Sequence, residues 1–467
     1  MTDVVVRRAE LPGGRVCDIR IAGGVIAEVG AALHAPGGAQ VIEAAGGAAL
    51  PGLHDHHVHL YAAGAALGSV RVGPPAVEHR PELEAALVTA DRELAPGAWL
   101  RGIGYHESVA GPLDRHVLDA WVPGRPVRVQ HRSGVQWILN SPGLDRLPPD
   151  LLAHPGVERS PEGDPTGRLT RMDRQLAQVV APVELDLGAI GERALRSGIT
   201  GMTDATPFGD ARELDRVAEA KGTGRLVQRL TVMSAPGATF RPPSGLVLGP
   251  VKILLDDTLL PTLDDLEGMV ADAHRAGRAV AVHCVTRLQA VLAIAAVRQV
   301  GSVDGDRIEH GAVLPPGSIP DLARLGITVV TNPGFVHERG EVYRHEVEEG
   351  DRAHLYRARS LDRAGVRLAA GTDVPFGPAD PWLVIRAATT RRTAQGETLG
   401  AEEALSPRRA LSLFLGHPDA PGRPRRVGRG QPGDLVVLRT PLREALRDPS
   451  RENVAACIVE GRLIDFR

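Results

Sequence analysis

Eight short apolar segments, most of them followed by a stretch of helical length, constrain this chain more than any other feature. They are 48–55, 198–205, 225–233, 249–256, 279–285, 306–314, 326–332 and 366–373. Apolar runs this short, punctuated by turn residues, read as strands buried on both faces. The pieces between them read as helices. In 262–277 the apolar positions 263, 266, 269, 270 and 273 share one helical face. Thr262 with Asp265 makes a capping pair, and Gly277 sits where a chain leaves a helix. The stretch 286–301 follows the next strand in the same way. Eight strand-then-helix units predict an α/β fold, a (β/α)8 TIM barrel. An open doubly wound sheet is the alternative, but a glycine-rich G-x-G-x-x-G turn after a strand, which goes with it, is missing.

Two regions fall outside that pattern. Residues 1–48 and 428–467 alternate apolar and polar positions between glycines, which predicts one small β-sandwich built from both termini around a barrel of 49–427. Between the first and second strands lie about 140 residues, where a βα connection usually takes 2–6. This large insertion, about 66–195, must carry its own structure and reads as a layer over the barrel mouth.

Three cysteines, Cys17, Cys284 and Cys457, are too few and too scattered for a disulfide framework. Net charge is −3, and the short arginine cluster 422–430 reads as a solvated loop, so no nucleic-acid partner is expected. No apolar run approaches the roughly 18 residues of a membrane span, and the start lacks a signal-peptide pattern. The expectation is a cytoplasmic protein acting on a small molecule, with no membrane partner.

Lysine and histidine carry the chemistry. Of 54 Lys and Arg, only Lys221 and Lys252 are lysines. Lys252 ends an apolar run, where a cation is costly unless paired or neutralised. Arginine keeps its proton; a buried lysine can lose it and react. Lys221 lies in a helical stretch and reads as ordinary surface. The first strand ends LPGLHDHHVHL, so Asp55, His57 and His59 project one way and His54 and His56 the other. Either histidine pair could hold a metal ion. His283, His310 and Asp373 fall at the ends of the fifth, sixth and eighth strands. The C-terminal strand ends are where a (β/α)8 barrel builds its active site.

The segments PGLHDHHVH, VKILLDD, VHCV, IEHG and GTD together resemble the motif series of the amidohydrolase superfamily. The resemblance runs nearly end to end, and GRGQPGDLVVL resembles the superfamily's C-terminal segment. Within it, WLRGIGY, PVRVQHRSGVQWILNS, DPTGRL and VKILLDD resemble the branch that contains N-substituted formamide deformylase, amidohydrolase family 3. The resemblance implies that Pro51, Gly52, Asp55, His57 and His59 form the first motif. It implies two divalent metal ions, zinc before manganese, iron or cobalt. His57, His59 and Asp373 would hold one ion and His283 and His310 the other, with a carboxylated Lys252 bridging them. The implied reaction is hydrolysis of a non-peptide C–N bond in an amide or N-acyl compound by metal-activated hydroxide, with Asp373 as general base and then acid. Homodimers are common in such families.

Candidates for substrate contact are Tyr105, His106, Arg132, Asn332, His337 and Arg339. The sequence departs from the branch at Val135, where a histidine is usual after glycine, at Asp257, where glycine is usual, and at Asn332, where glutamine is usual. The competing readings are a mononuclear aminohydrolase, which lacks the bridging lysine, a lactonase or other ester hydrolase with the same two metals, and a non-catalytic binding barrel.

Overall fold

A computed structural model describes residues 2–180 and 185–464. Met1, residues 181–184 of the insertion, and 465–467, with the end of the expected last strand, lie outside the described residues. The chain forms two compact units, Met1–Leu60 with Leu187–Arg467, and Tyr61–Asp186.

In the first unit, eight parallel strands form one sheet in chain order: Leu53–Val58, Ile199–Phe208, Arg229–Ser234, Leu246–Ile253, Val280–Cys284, Arg307–His310, Thr328–Thr331 and Arg367–Ala370. The eighth strand meets the first without a regular ladder. That seam is closed at its C-terminal end, where Asp373 N donates to His57 O (2.8 Å), and His59 N to Val374 O (3.0 Å). The Asp55 carboxylate adds bonds from Thr372 N (2.9 Å) and Oγ1 (2.5 Å). A Cβ on Gly371 would lie 2.4 Å from His57 Cβ, so only glycine lets the two strands come this close.

The helices form as their capping residues direct. Leu263–Arg275 starts at Thr262 with a capping box to Asp265, buries Leu266, Val270 and Ala273, and ends before Gly277 at φ +70°. Arg287–Val300 starts at Thr286 with a capping box to Gln289.

The expected first barrel strand, 48–55, is in fact two elements. Ala49–Pro51 pairs with Leu435–Val437 in a different sheet, and the barrel strand begins at Leu53. Gly52 lies at the break, where a Cβ would meet Thr200 Oγ1 at 2.1 Å. The Ala49–Pro51 sheet continues through Leu435–Leu438, Val454–Val459 and Arg462–Ile464. A second four-stranded sheet comes from Val4–Glu10, Val16–Ala22, Val25–Gly30 and Gln40–Glu43. Val6, Ile19, Ile21 and Ile26 from one sheet share a core with Ala49, Leu435, Val437 and Ile458 from the other.

The unit Tyr61–Asp186 has its own sheet, ordered Val157–Arg159, Pro165–Thr170, Gln136–Leu139, Val127–His131, Leu100–Tyr105 and Val70–Arg71. Two separate cores form around it, one including Leu83, Leu87 and Val129, the other Trp137, Leu144 and Leu169.

Two cationic readings change. Lys221 is half-buried, and its Nζ donates to Val227 O (3.0 Å) and Gln228 O (2.7 Å). Within the arginine cluster, Arg425 is inserted rather than solvated, with Nη2 donating to Gly52 O at 2.6 Å. Both side chains satisfy carbonyls at chain crossings, a role that a count of charges does not show. All three cysteines are free and buried. No helix among the described residues is long and apolar enough to cross a membrane.

Candidate active site

Five of the eight strands bring a nitrogen or carboxylate ligand type to the C-terminal end of the barrel. His57 comes from the first and His59 follows it, Lys252 comes from the fourth, His283 from the fifth, His310 from the sixth, and Asp373 follows the eighth. His57 Nε2 and His59 Nε2 lie 3.6 and 3.4 Å from Asp373 Oδ1, and His310 Nδ1 lies 3.7 Å from Asp373 Oδ2. The His310 ring centroid is 4.7 Å from that of His57 and 4.6 Å from that of His283. His57, His59 and Asp373 offer three ligand atoms close enough to share an ion.

The backbone is bent to achieve this. His310 and Asp373 adopt φ of +65° and +59°, a left-handed conformation that costs energy outside glycine and that clusters at functional sites. In a regular strand Glu309 and His310 would face opposite ways. The turn at His310 lets both neighbours reach His57.

Each of three histidines has Nδ1 engaged. His57 Nδ1 bonds the Glu309 carboxylate, His59 Nδ1 faces Thr206 Oγ1 at 3.1 Å, and His310 Nδ1 faces Asn332 Oδ1 at 2.9 Å. Such contacts fix ring orientation, and the acceptor oxygens of Glu309 and Asn332 place the proton of His57 and His310 on Nδ1, leaving Nε2 as the lone pair. Glu309 is fully buried and also ion-paired to Arg307 Nε. Asp204 accepts from Thr206 N (2.9 Å), supporting the residue that meets His59.

Burial dominates the electrostatics. It drives the pKa of His57 and His310 well down and that of His283 to about 3, with Lys252 adding to each shift. These rings are neutral, the form that binds metal ions. Burial also lowers the pKa of Lys252, against the opposing pull of Glu309 and Asp373. Lys252 is 1% exposed. Among the described residues, Lys252 Nζ, His57 Nε2 and Asp373 Oδ1 are buried without a hydrogen-bond partner. Buried polar atoms of this kind call for a further group. The donor set, imidazole nitrogens with a carboxylate and an amine, fits divalent ions of the zinc class.

His54 and His56 lie apart from this cluster; His54 Nε2 faces Thr203 Oγ1 at 2.9 Å. Of the residues expected to meet substrate, Asn332 is buried and ties His310 to Gly371 O (2.8 Å). Arg339 donates to Phe376 O (2.7 Å), and the Phe376 ring packs edge-on against His59. His337 Nδ1 faces Arg392 O at 3.3 Å. Tyr105, His106 and Arg132 belong to the inserted unit. There the Tyr105 hydroxyl donates to Gly111 O within an apolar core, and Arg132 N donates to Tyr105 O. Asp257 bonds Thr286 Oγ1 (3.0 Å) and Gln289 Nε2 (2.9 Å), joining the loop after the fourth strand to the helix after the fifth. Val135 is 40% exposed.

The model of the amidohydrolase family matches residues 40–465. The chain belongs to the amidohydrolase family. It is 28% identical to N-substituted formamide deformylase of Arthrobacter pascens, over 95% of this chain and 94% of that protein. It is 24% identical to the protein LONG AFTER FAR-RED 3 of Arabidopsis thaliana, over 88% and 81%. A metal-dependent hydrolase of Pyrococcus horikoshii OT3 has the same fold, with a TM-score of 0.73 at 18% identity over 99% of this chain and 100% of that one. The amidohydrolase described here is thus a hydrolase of non-peptide carbon–nitrogen bonds, built on a (β/α)8 barrel.

Proposed function

We propose that this amidohydrolase cleaves the C–N bond of a small amide or N-acyl substrate at a pair of divalent ions, zinc before manganese, iron or cobalt. His57, His59 and Asp373 would hold one ion, His283 and His310 the other, and a carboxylated Lys252 would bridge them. Lys252 carries the reading. Among the described residues its Nζ is buried without a hydrogen-bond partner, and burial favours the neutral amine. A neutral amine adds carbon dioxide and loses one proton, giving an anion with two oxygens, one for each ion. The deformylase similarity supports the substrate class.

Bound there, the ions would polarise the scissile carbonyl and lower the pKa of a water toward about 7. The chain's own residues would do the rest. Asp373, whose Oδ1 has no hydrogen-bond partner among the described residues, would take the proton of the attacking water and pass it to the leaving nitrogen. Glu309, Thr206 and Asn332 would keep His57, His59 and His310 aimed during that transfer. The products are a carboxylate and an amine.

Elemental analysis of protein purified without chelator or added metal tests this. The expected result is about two equivalents per chain, as in two-metal sites, falling in Lys252→Ala. About one equivalent, unaffected by Lys252→Ala, would overturn the bridged pair and turn the assay to ring deamination. A panel of matched amides and lactones then separates C–N from ester cleavage.

A further inference from the structure

The inserted unit holds two arginines against each other. Arg101 and Arg128 are register partners on the parallel strands Leu100–Tyr105 and Val127–His131, so they stand side by side on one face of the sheet. The other face belongs to Leu100, Val127, Val129 and Ile138, which pack in an apolar core. Both guanidiniums lie over the Trp137 indole, with Arg101 Cζ 5.3 Å and Arg128 Cζ 5.1 Å from the ring centroid. Arg128 Cζ also lies 6.0 Å from the centroid of Trp99. Like charges set directly opposite on neighbouring strands repel.

Neither arginine is ion-paired to an acid among the described residues. Arg101 donates to neutral oxygens, from Nη1 to Ala65 O (3.1 Å) and Ser69 Oγ (2.5 Å), and from Nη2 to Gln130 Oε1 (3.2 Å). Arg128 is only 8% exposed, and its Nε is buried without a hydrogen-bond partner among the described residues. The charge of Asp173 acts on both, but its carboxylate accepts from Trp137 Nε1 (2.8 Å) and pairs with neither guanidinium. Burial lowers the pKa of each arginine to about 10, with Arg128 adding to the shift at Arg101, so both stay cationic at neutral pH. A buried charge without a counter-charge is costly, and so is an orphaned donor. Stacking on indole offsets part of that cost and leaves the N–H groups unsatisfied. The group that answers both deficits is a planar anion, and the guanidinium fork matches a carboxylate.

We propose that Arg101 and Arg128 form an anion site built wholly within the inserted unit, which takes the carboxylate of a small molecule on the two guanidiniums beside the Trp137 indole. The competing account is a cation–π stack of Arg101, Trp137, Arg128 and Trp99 that needs no ligand.

Titration of the full chain with sodium acetate, at ionic strength held constant with sodium chloride, separates the two. Tryptophan fluorescence is the readout, with the thermal unfolding midpoint alongside. The expected result is a fluorescence change that saturates in the millimolar range and a midpoint that rises with acetate, as binding to the folded state requires. Arg128→Lys keeps the charge and loses the fork, so half-saturation should move to at least about tenfold higher acetate. Arg101→Gln, at the less buried partner, should weaken binding by a similar factor and serves if the Arg128 variant does not fold. Acetate bound at the barrel would be untouched by either change. A response in the parent that stays linear through the millimolar range would overturn the site. So would equal half-saturation in the parent and the variants.

Discussion

Glu309 shows how much of this molecule depends on a single buried carboxylate. It holds His57 on one side and Arg307 on the other, all three close to fully buried. Removing it would leave a buried guanidinium unpaired, a change worth about 3–5 kcal/mol. Glu309→Ala is therefore expected to lose about that much stability in denaturant unfolding. It should also weaken metal binding by about 10- to 100-fold in chelator competition, since His57 loses its orienting partner. Glu309→Gln should recover part of the second effect and little of the first. Asp373→Asn tests the proposed proton carrier and is expected to lower kcat by about 10²–10⁴ on any amide the enzyme turns over. Asp373 and the histidines were legible because strand-end ligands on five strands point to one mouth. Glu309 was not, although it stands beside His310 in the sequence. Regular alternation would turn it away from whatever His310 faces, and only the left-handed backbone at His310 brings both inward.

At the scale of elements, the loop after the fourth strand is fastened to the helix after the fifth. Thr286 both caps Arg287–Val300 and donates to Asp257. Thr262 caps its own helix, and among the described residues its hydroxyl bonds only within that cap. Thr262→Ala should cost about 1 kcal/mol in thermal unfolding, as a lost cap does, and Thr286→Ala should cost more. Equal losses would mean that the Asp257 contact contributes nothing. The caps, the helical face of 262–277 and the number of barrel strands were readable, because period and capping act locally. The break at Gly52 was not. Residues 48–55 form one apolar run, and the transfer from one sheet to another is decided by distant partners, Leu435–Val437 and Thr200.

At the scale of the whole molecule, the core shared by the two terminal sheets joins residues more than 400 positions apart, such as Val6 and Ile458. Ile458→Ala is expected to cost about 2–5 kcal/mol, seen as earlier unfolding in denaturant of the sheet that also holds Ala49–Pro51. The arginine inserted at Gly52 and the seam at Gly371 add to the same region, where the barrel's first strand is tied in. The pattern of residues 1–48 and 428–467 announced strands, but that Ala49–Pro51 would join the C-terminal sheet depended on contacts that composition does not encode.

The shared core also sets an order of events in the cell. A ribosome adding about 5–20 residues per second reaches Val454–Val459 only roughly 20–80 s after it has made Val4–Glu43. Through that interval the apolar face of the first sheet has no partner, and the barrel's opening strand lacks its anchor. The sheet formed by Val4–Glu43 is therefore where a chaperone has the longest time to bind while the barrel is being made.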